Sequence, residues 1–394
     1  MSDLIQILPL WKALQTSNTE YVLATVVEVE GSGYRKPGAR MLVAADGRRA
    51  GTISGGCLEA EVARKAFWHT ENGPTMRRYS TSPDDGDVPF GMGCGGVVHV
   101  LLERSRTANP LLERLSAAFT ARQPLAVSTI LEGDAIGQRS FCPEDDTPGG
   151  TPKLQDLAQQ AFAESRSFSA NIEVEDRQIA AVRSEWIPAR PGLFIFGAGD
   201  DALPLVSLAH QLGWYTAIAD GRAHLVTTAR FPLADDLHAL SAHAALPANF
   251  HPTDAAVIMT HSLQQDTQIL AHLLQRNLAY LGVLGPRHRT RDMLTAIAQE
   301  LFVAVEKSQV SQNAQITQPQ VTQAQVTQIE DWFTRLHAPM GLDLGGSAPA
   351  DIALAIIAEI QQTLHRASGQ ALRQLRATSP SRAPIAIESR RSAG

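Results

Sequence analysis

The hydrophobic positions of this chain change period along its length, and the changes mark its elements. Ile5 to Leu14 carries apolar residues at helical spacing, and Tyr21 to Val29 is a β-rich run of strand length. Met41 to Ala45 predicts a strand, Asp46-Gly47 a hairpin turn and Gly51 to Ser54 the return. A helix is predicted from Leu58 to Phe67, a buried strand from Val97 to Leu102, a helix from Asn109 to Ala121 and a strand from Leu125 to Leu131. The polar, Pro/Gly-rich stretch from Cys142 to Lys153 reads as a surface loop, and Trp186 to Pro191 as a boundary.

Past that boundary an apolar strand from Gly192 runs into Gly197-Ala198-Gly199-Asp200-Asp201-Ala202, a GxGxxA loop. Leu205, Leu208, Ala209 and Leu212 then follow at i, i+3, i+4 and i+7, one face of a helix. The next strand, Tyr215 to Ala219, ends at Asp220, roughly 20 residues beyond the glycines, where a Rossmann unit places the acid that holds a ribose. Asp254 to Thr260 and Leu278 to Leu284 are further parallel-type strands. Gly285 to Arg291 opens a helix with Arg287, Arg289 and Arg291 in its first turns. Basic side chains oppose the helix dipole there, so they are expected to face an anion. Ser308 to Gln328 is a glutamine-rich tract without a core pattern, expected to be a disordered insert that function tolerates losing. Ser347 is the expected N-cap of a last helix with Pro349 and Asp351 in its first turn, and a flexible tail is expected over 367–394.

The fold class expected is therefore α/β: a small mixed α+β N-terminal domain with Gly-Gly-Cys loops (1–188, core about 10–104), then a Rossmann-like doubly wound parallel-sheet domain (190–366). Composition narrows the function classes. Hydrophobic content of 44% and charged content of 19% fit a soluble globular protein. A net charge of −6, with no basic run before the tail, argues against nucleic-acid binding. No apolar run approaches the ~20 residues of a membrane span, and the start has no basic n-region before an apolar core, so a cytoplasmic protein is expected. The three cysteines, Cys57, Cys94 and Cys142, form no CxxC pair, which disfavours a disulfide framework and a structural zinc site.

Two of those cysteines carry the candidate chemistry. Cys57 follows Gly55-Gly56 and begins a helix, where close-approaching amides and the dipole favour a thiolate and an anion. Cys94 lies among four glycines in Phe90-Gly91-Met92-Gly93-Cys94-Gly95-Gly96. Each could instead be a small buried hydrophobe in a tight turn, which is where most free cysteines lie; two in Gly-Gly settings within one domain favour a site that works through sulfur. Glu59 stands in the first turn after Cys57 and belongs to the same candidate set. Arg35, Lys36 and Arg40 sit in a glycine-rich loop of the same small sheet and read either as an anion clamp or as a solvated loop. Ser82 to Asp87 could hold a metal or an amine, or be a capped surface turn, and Cys142, beside three acids, is a poor nucleophile. In the second domain Gly197, Gly199 and Asp220 are the candidate nucleotide contacts, although Asp200 and Asp201 would repel a pyrophosphate.

Taken together, GSGYRKPGARMLV, SGGCLEAEV, FGMGCGG, LFIFGAGDDA, VLGPRHRTR and LHAPMGLDLGG resemble, in the same order, the XdhC/CoxI family of molybdenum-hydroxylase maturation factors. The resemblance covers nearly the whole chain apart from the glutamine-rich insert, parts of the middle segment and the tail. It implies a protein that binds molybdenum cofactor, supports its sulfuration and delivers it to a xanthine dehydrogenase-type apoenzyme, with a cysteine desulfurase as a further partner; a homodimer is expected because a small cysteine domain alone offers little enclosure for so large a ligand. It also implies that Cys57 is the first candidate for cofactor contact, and a possible molybdenum contact, with Cys94 second. Arg40, Arg287 and Arg289 are candidates for the cofactor's anionic end. GAGDDA departs from the commoner family pattern, which has His or another residue after GAG and a glycine last, and this bears on nucleotide binding. Two other functions stand beside the carrier. One is an NAD(P)-dependent oxidoreductase, for which only His261, His288 and His337 are available as bases; the other is an interaction scaffold with structural thiols.

Overall fold

The computed structural model describes residues 3–31, 34–80, 96–143, 151–173, 179–240, 250–309 and 322–378, with the backbone alone for Cys57 and for residues 301–309 and 376–378. The chain falls into two compact units, residues 1–198 with 206–247 and residues 199–205 with 248–394.

The first unit begins with α1 (Leu4–Thr16), whose buried stripe Leu4, Ile7, Leu8, Trp11 and Leu14 keeps helical spacing. β1 (Tyr21–Glu30) pairs antiparallel with β2 (Arg40–Ala44), which turns at Asp46-Gly47 into β3 (Arg49–Gly51). Gly47 sits at φ +90°, as the tight turn requires, and the Asp46 carboxylate accepts from the Arg48 N–H at 3.0 Å. After α2 (Cys57–His69), β4 (Thr75–Ser80) and β5 (Val97–Arg104) complete an antiparallel sheet in the order β3-β2-β1-β5-β4. Both faces of β1 are buried, and its period of two divides them. Val22, Ala24 and Val26 pack with Leu58, Val62 and Ala66 of α2, while Tyr21 and Leu23 pack with α1 and α3 (Ser105–Ala121).

A second antiparallel sheet follows, ordered β7-β6-β9-β8, from β6 (Leu125–Ile130), β7 (Arg139–Cys142), β8 (Phe168–Glu173) and β9 (Ile179–Ile187). The loop expected from Cys142 to Lys153 is shorter than its composition suggests. Cys142 is the last residue of β7, and α4 (Pro152–Ala163) begins at Pro152, capped by the Thr151 hydroxyl, which accepts from the Leu154 N–H at 3.3 Å.

The Rossmann-like sheet runs β12-β11-β10-β13-β14, the 3-2-1-4-5 order of a doubly wound fold. Its strands are β10 (Gly192–Phe196), β11 (Tyr215–Asp220), β12 (Asp236–Ala239), β13 (Ala255–Ile258) and β14 (Tyr280–Val283), with α5 (Ala202–Gln211) opening after the glycine loop. In the second unit α6 (Leu263–Leu273) is capped by Ser262, and α7 (Arg287–Gln309) follows β14. Residues 310–321 of the expected insert lie outside the described residues. Its last part is ordered: Thr322 begins a capping box with Gln325, and α8 (Gln323–Arg335) starts there. His337 then makes a single parallel bridge to Gly282 beside β14. The N-cap of α9 (Pro349–Leu364) is Ala348 rather than Ser347, because the Asp351 carboxylate accepts from the Ala348 N–H at 3.2 Å. Part of the expected tail is also helical, as α10 (Leu372–Thr378).

Candidate functional site

Two side chains, Glu59 and Ser54, build the turn before α2. The Glu59 carboxylate reaches back and accepts from the backbone N–H groups of Ile53 at 3.1 Å and Ser54 at 2.7 Å. Its other oxygen accepts from the Ser54 hydroxyl at 2.5 Å, and that hydroxyl oxygen in turn accepts from the N–H groups of Gly56 and Leu58. Glu59 therefore organises the loop. Burial alone would push its carboxyl up, but the bonds from Ser54 and Ile53 outweigh burial and hold it below the usual glutamate value. Gly56 sits at φ +113°, a conformation that excludes other L-residues without strain, and Cys57 follows as the first residue of α2. Gly55 is exposed, and a side chain there would rest on the ring of Tyr34, 3.6 Å away. The structure thus brings the basic loop against the Gly-Gly-Cys turn, through a tyrosine that carries no signal of this role in the sequence. Cys94 and the acidic turn Ser82 to Asp87 lie outside the described residues.

Within the basic loop the three cations differ. Arg40 is only 5% exposed, and its guanidinium donates to both Glu185 oxygens, at 3.1 and 2.5 Å, and to the Gly38 carbonyl at 2.9 Å. An anion clamp on Arg40 would have to displace a bidentate carboxylate. Arg35 pairs with Asp3, while Lys36 is exposed and makes no ion pair among the described residues.

Gly197 takes φ +134° at the end of β10, as a Rossmann glycine loop requires. Asp220 stands where expected but is fully buried and fully used. It accepts from the Ala198 N–H at 2.7 Å, from the Arg222 N–H at 2.8 Å, and from the Arg222 guanidinium at 3.0 and 2.7 Å. Burial pushes that carboxyl up, yet Arg222 and the two amides hold it below the ordinary aspartate value. A ribose diol would have to evict Arg222. Gly199 leads to Asp201, whose carboxylate meets His261 Nε2 at 3.0 Å. The arginines of α7 likewise have protein partners. Arg289 donates to the buried Asp266 at 2.6 Å, and Arg287 and Arg291 lie over the Phe333 ring at 5.0 and 5.4 Å. That gives Arg287 and Arg289 a packing role between helices, which sequence distance hid. Near β14, Glu359 accepts from Tyr280 at 2.7 Å and from the Gly341 N–H at 2.6 Å, and bonds His337 at 2.9 Å.

Among the described residues no group of three or more His, Cys, Asp or Glu could hold a metal ion, and no helix is long and apolar enough to cross a membrane. A mixed α/β N-terminal part with a glycine-cysteine turn, followed by a Rossmann sheet whose ribose acid is engaged internally, defines a two-part α/β protein. The profile of the XdhC and CoxI family matches residues 14–80, and that of the XdhC Rossmann domain matches residues 193–314 and 311–360. The chain belongs to the XdhC/CoxI family. It is 31% identical over 361 residues to a probable xanthine dehydrogenase subunit of Bacillus subtilis strain 168, covering 90% of this chain and 96% of the relative. It is 26% identical over 341 residues to the molybdenum cofactor insertion chaperone PaoD of Escherichia coli K12, covering 86% and 82%. A crystal structure of a xanthine dehydrogenase from Bacillus halodurans superposes with a TM-score of 0.67 at 27% identity, covering 98% of each chain.

Proposed function

We propose that this protein is a maturation factor that binds molybdenum cofactor as cargo, supports its sulfuration and delivers it to a molybdenum hydroxylase of the xanthine dehydrogenase type. The observation that carries the reading is the Gly55-Gly56-Cys57 turn, held by Glu59 and Ser54 at the N-terminus of α2. A thiol there is a soft donor beside the positive end of a helix dipole, which suits a dithiolene-bound metal. Membership of a family with a relative named as a molybdenum cofactor insertion chaperone supports the same cargo. Cys57 takes the metal end in this reading, with Gly55 and Gly56 giving close backbone approach and Cys94 as a second sulfur. The apoenzyme, a cysteine desulfurase and a second copy of this chain are its proposed partners, and the cytoplasm its proposed place of action.

Anaerobic equilibrium binding of purified molybdenum cofactor to the parent protein and to Cys57→Ala tests it. Binding in the micromolar range or tighter that weakens at least tenfold in the variant is expected. Equal binding by both proteins would sink the thiol assignment.

A further inference from the structure

Beside the glycine-cysteine turn lies a cavity of about 440 Å³, formed by the basic loop against the end of β9 and the start of the chain. Its size falls in the ~300–1,000 Å³ range of small-molecule sites, well beyond what a bare inorganic ion fills. Its lining combines two chemistries. Tyr34 and Trp186 supply aromatic surface, and Arg35, Lys36 and Arg40 supply positive charge. Two carboxylates also line it, Asp3 and Glu185, and each is taken by an arginine, Arg35 and Arg40 respectively. The charge left over is that of Lys36, which is exposed and has no ion-pair partner among the described residues.

The geometry points to a subsite for a phosphomonoester carried on a planar heterocycle. The ring is matched to the Tyr34 and Trp186 walls, and the phosphate to the Lys36 ammonium. Tyr34 borders both the cavity and the turn, because a side chain at Gly55 of the turn would meet its ring at 3.6 Å. A nucleotide and the phosphate-bearing end of a pterin cofactor share this chemistry. In the second case the inference rests on the carrier reading, and Lys36 and Tyr34 take over the role expected of Arg40, whose donors are held by Glu185.

Calorimetric titration of the full chain with GMP, guanosine and purified molybdenum cofactor separates these cases, using the parent, Lys36→Glu, Tyr34→Ala and Cys57→Ala. If nucleotides are a source, GMP binds at least tenfold more tightly than guanosine, Lys36→Glu removes that preference, and Cys57→Ala keeps it. If the cofactor is the source, Lys36→Glu and Tyr34→Ala each weaken its binding at least tenfold, with GMP indifferent to all variants. The inference is overturned if Lys36→Glu changes neither ligand's affinity. Cofactor binding lost in Cys57→Ala but unchanged in Lys36→Glu removes the cofactor from the subsite and leaves the carrier reading standing; the reverse pattern removes the thiol and keeps the subsite.

Discussion

Glu59 and Arg40 look alike in the sequence, single charged residues near a glycine loop, and the structure uses both as fasteners. Glu59→Gln can keep the oxygen that accepts from the Ile53 and Ser54 N–H groups but sets an amide donor against the Ser54 hydroxyl, whose proton loses its charged acceptor, so a loss of about 1–3 kcal/mol is expected at pH 7. The carboxyl is held below its ordinary value, so its contribution is complete above the ordinary glutamate range and disappears as pH falls through the lower folded-state value. Urea unfolding of parent and variant should therefore differ at pH 7 and converge in strong acid; a difference that persists there would place the effect outside the charge. Arg40→Ala leaves Glu185 largely buried and unpaired. Breaking such a pair costs about 3–5 kcal/mol, with the low end expected because Glu185 keeps some solvent. Arg40→Met with Glu185→Leu should lose less than Arg40→Ala alone, and denaturant midpoints would show it. Neither role was legible in the sequence. Glu59 was visible as a first-turn acid but not as the clasp of Ile53 and Ser54, and Glu185 lies 145 residues from Arg40.

At the scale of elements, local pattern carried α1, β1, the β2–β3 hairpin and α2, since their apolar spacing and turn residues are self-contained. Of the second sheet only β6 was legible, as the run Leu125 to Leu131; β7, β8 and β9 were not. Its buried positions include Ser128 and Ser184, fully buried and bonded to each other at 2.7 Å, so polar residues occupy core sites and blur the alternation. The glutamine-rich tract misled for the opposite reason. Thr322 and Gln325 look like low-complexity filler yet close a capping box, and Gln325 is 4% exposed. Thr322→Ala should cost about 1 kcal/mol, seen as a lower Tm. A deletion that reaches Gln328 removes the first turns of α8 and should lower Tm. Gly282 offers a sharper test. A Cβ there would lie 2.6 Å from the Tyr280 ring and 3.0 Å from the Met340 sulfur, so Gly282→Ala should destabilise by about 1–3 kcal/mol in thermal unfolding.

For the whole molecule, strand, glycine loop, helix, strand and acid in order made the Rossmann topology readable, because each step of that motif is short in sequence. The use of the acid was not, since the Arg222 that occupies it carries no signal two residues beyond. Titration of NADH into the protein should leave nucleotide fluorescence unchanged; saturable quenching would show that Arg222 yields to a ribose. One further consequence follows from the single bridge between His337 and Gly282. A parallel sheet that stopped at β14 would present a bare row of amides and carbonyls to any passing chain, the template from which aggregates grow. The segment around His337 lies along that row, donating to Leu281 and accepting from Val283, and Glu359 pins it from α9. Those few residues act as a selvedge, the woven border that keeps cloth from fraying. A chain cut after Arg335 should retain the strands of its sheet by circular dichroism and aggregate more readily than the parent by light scattering.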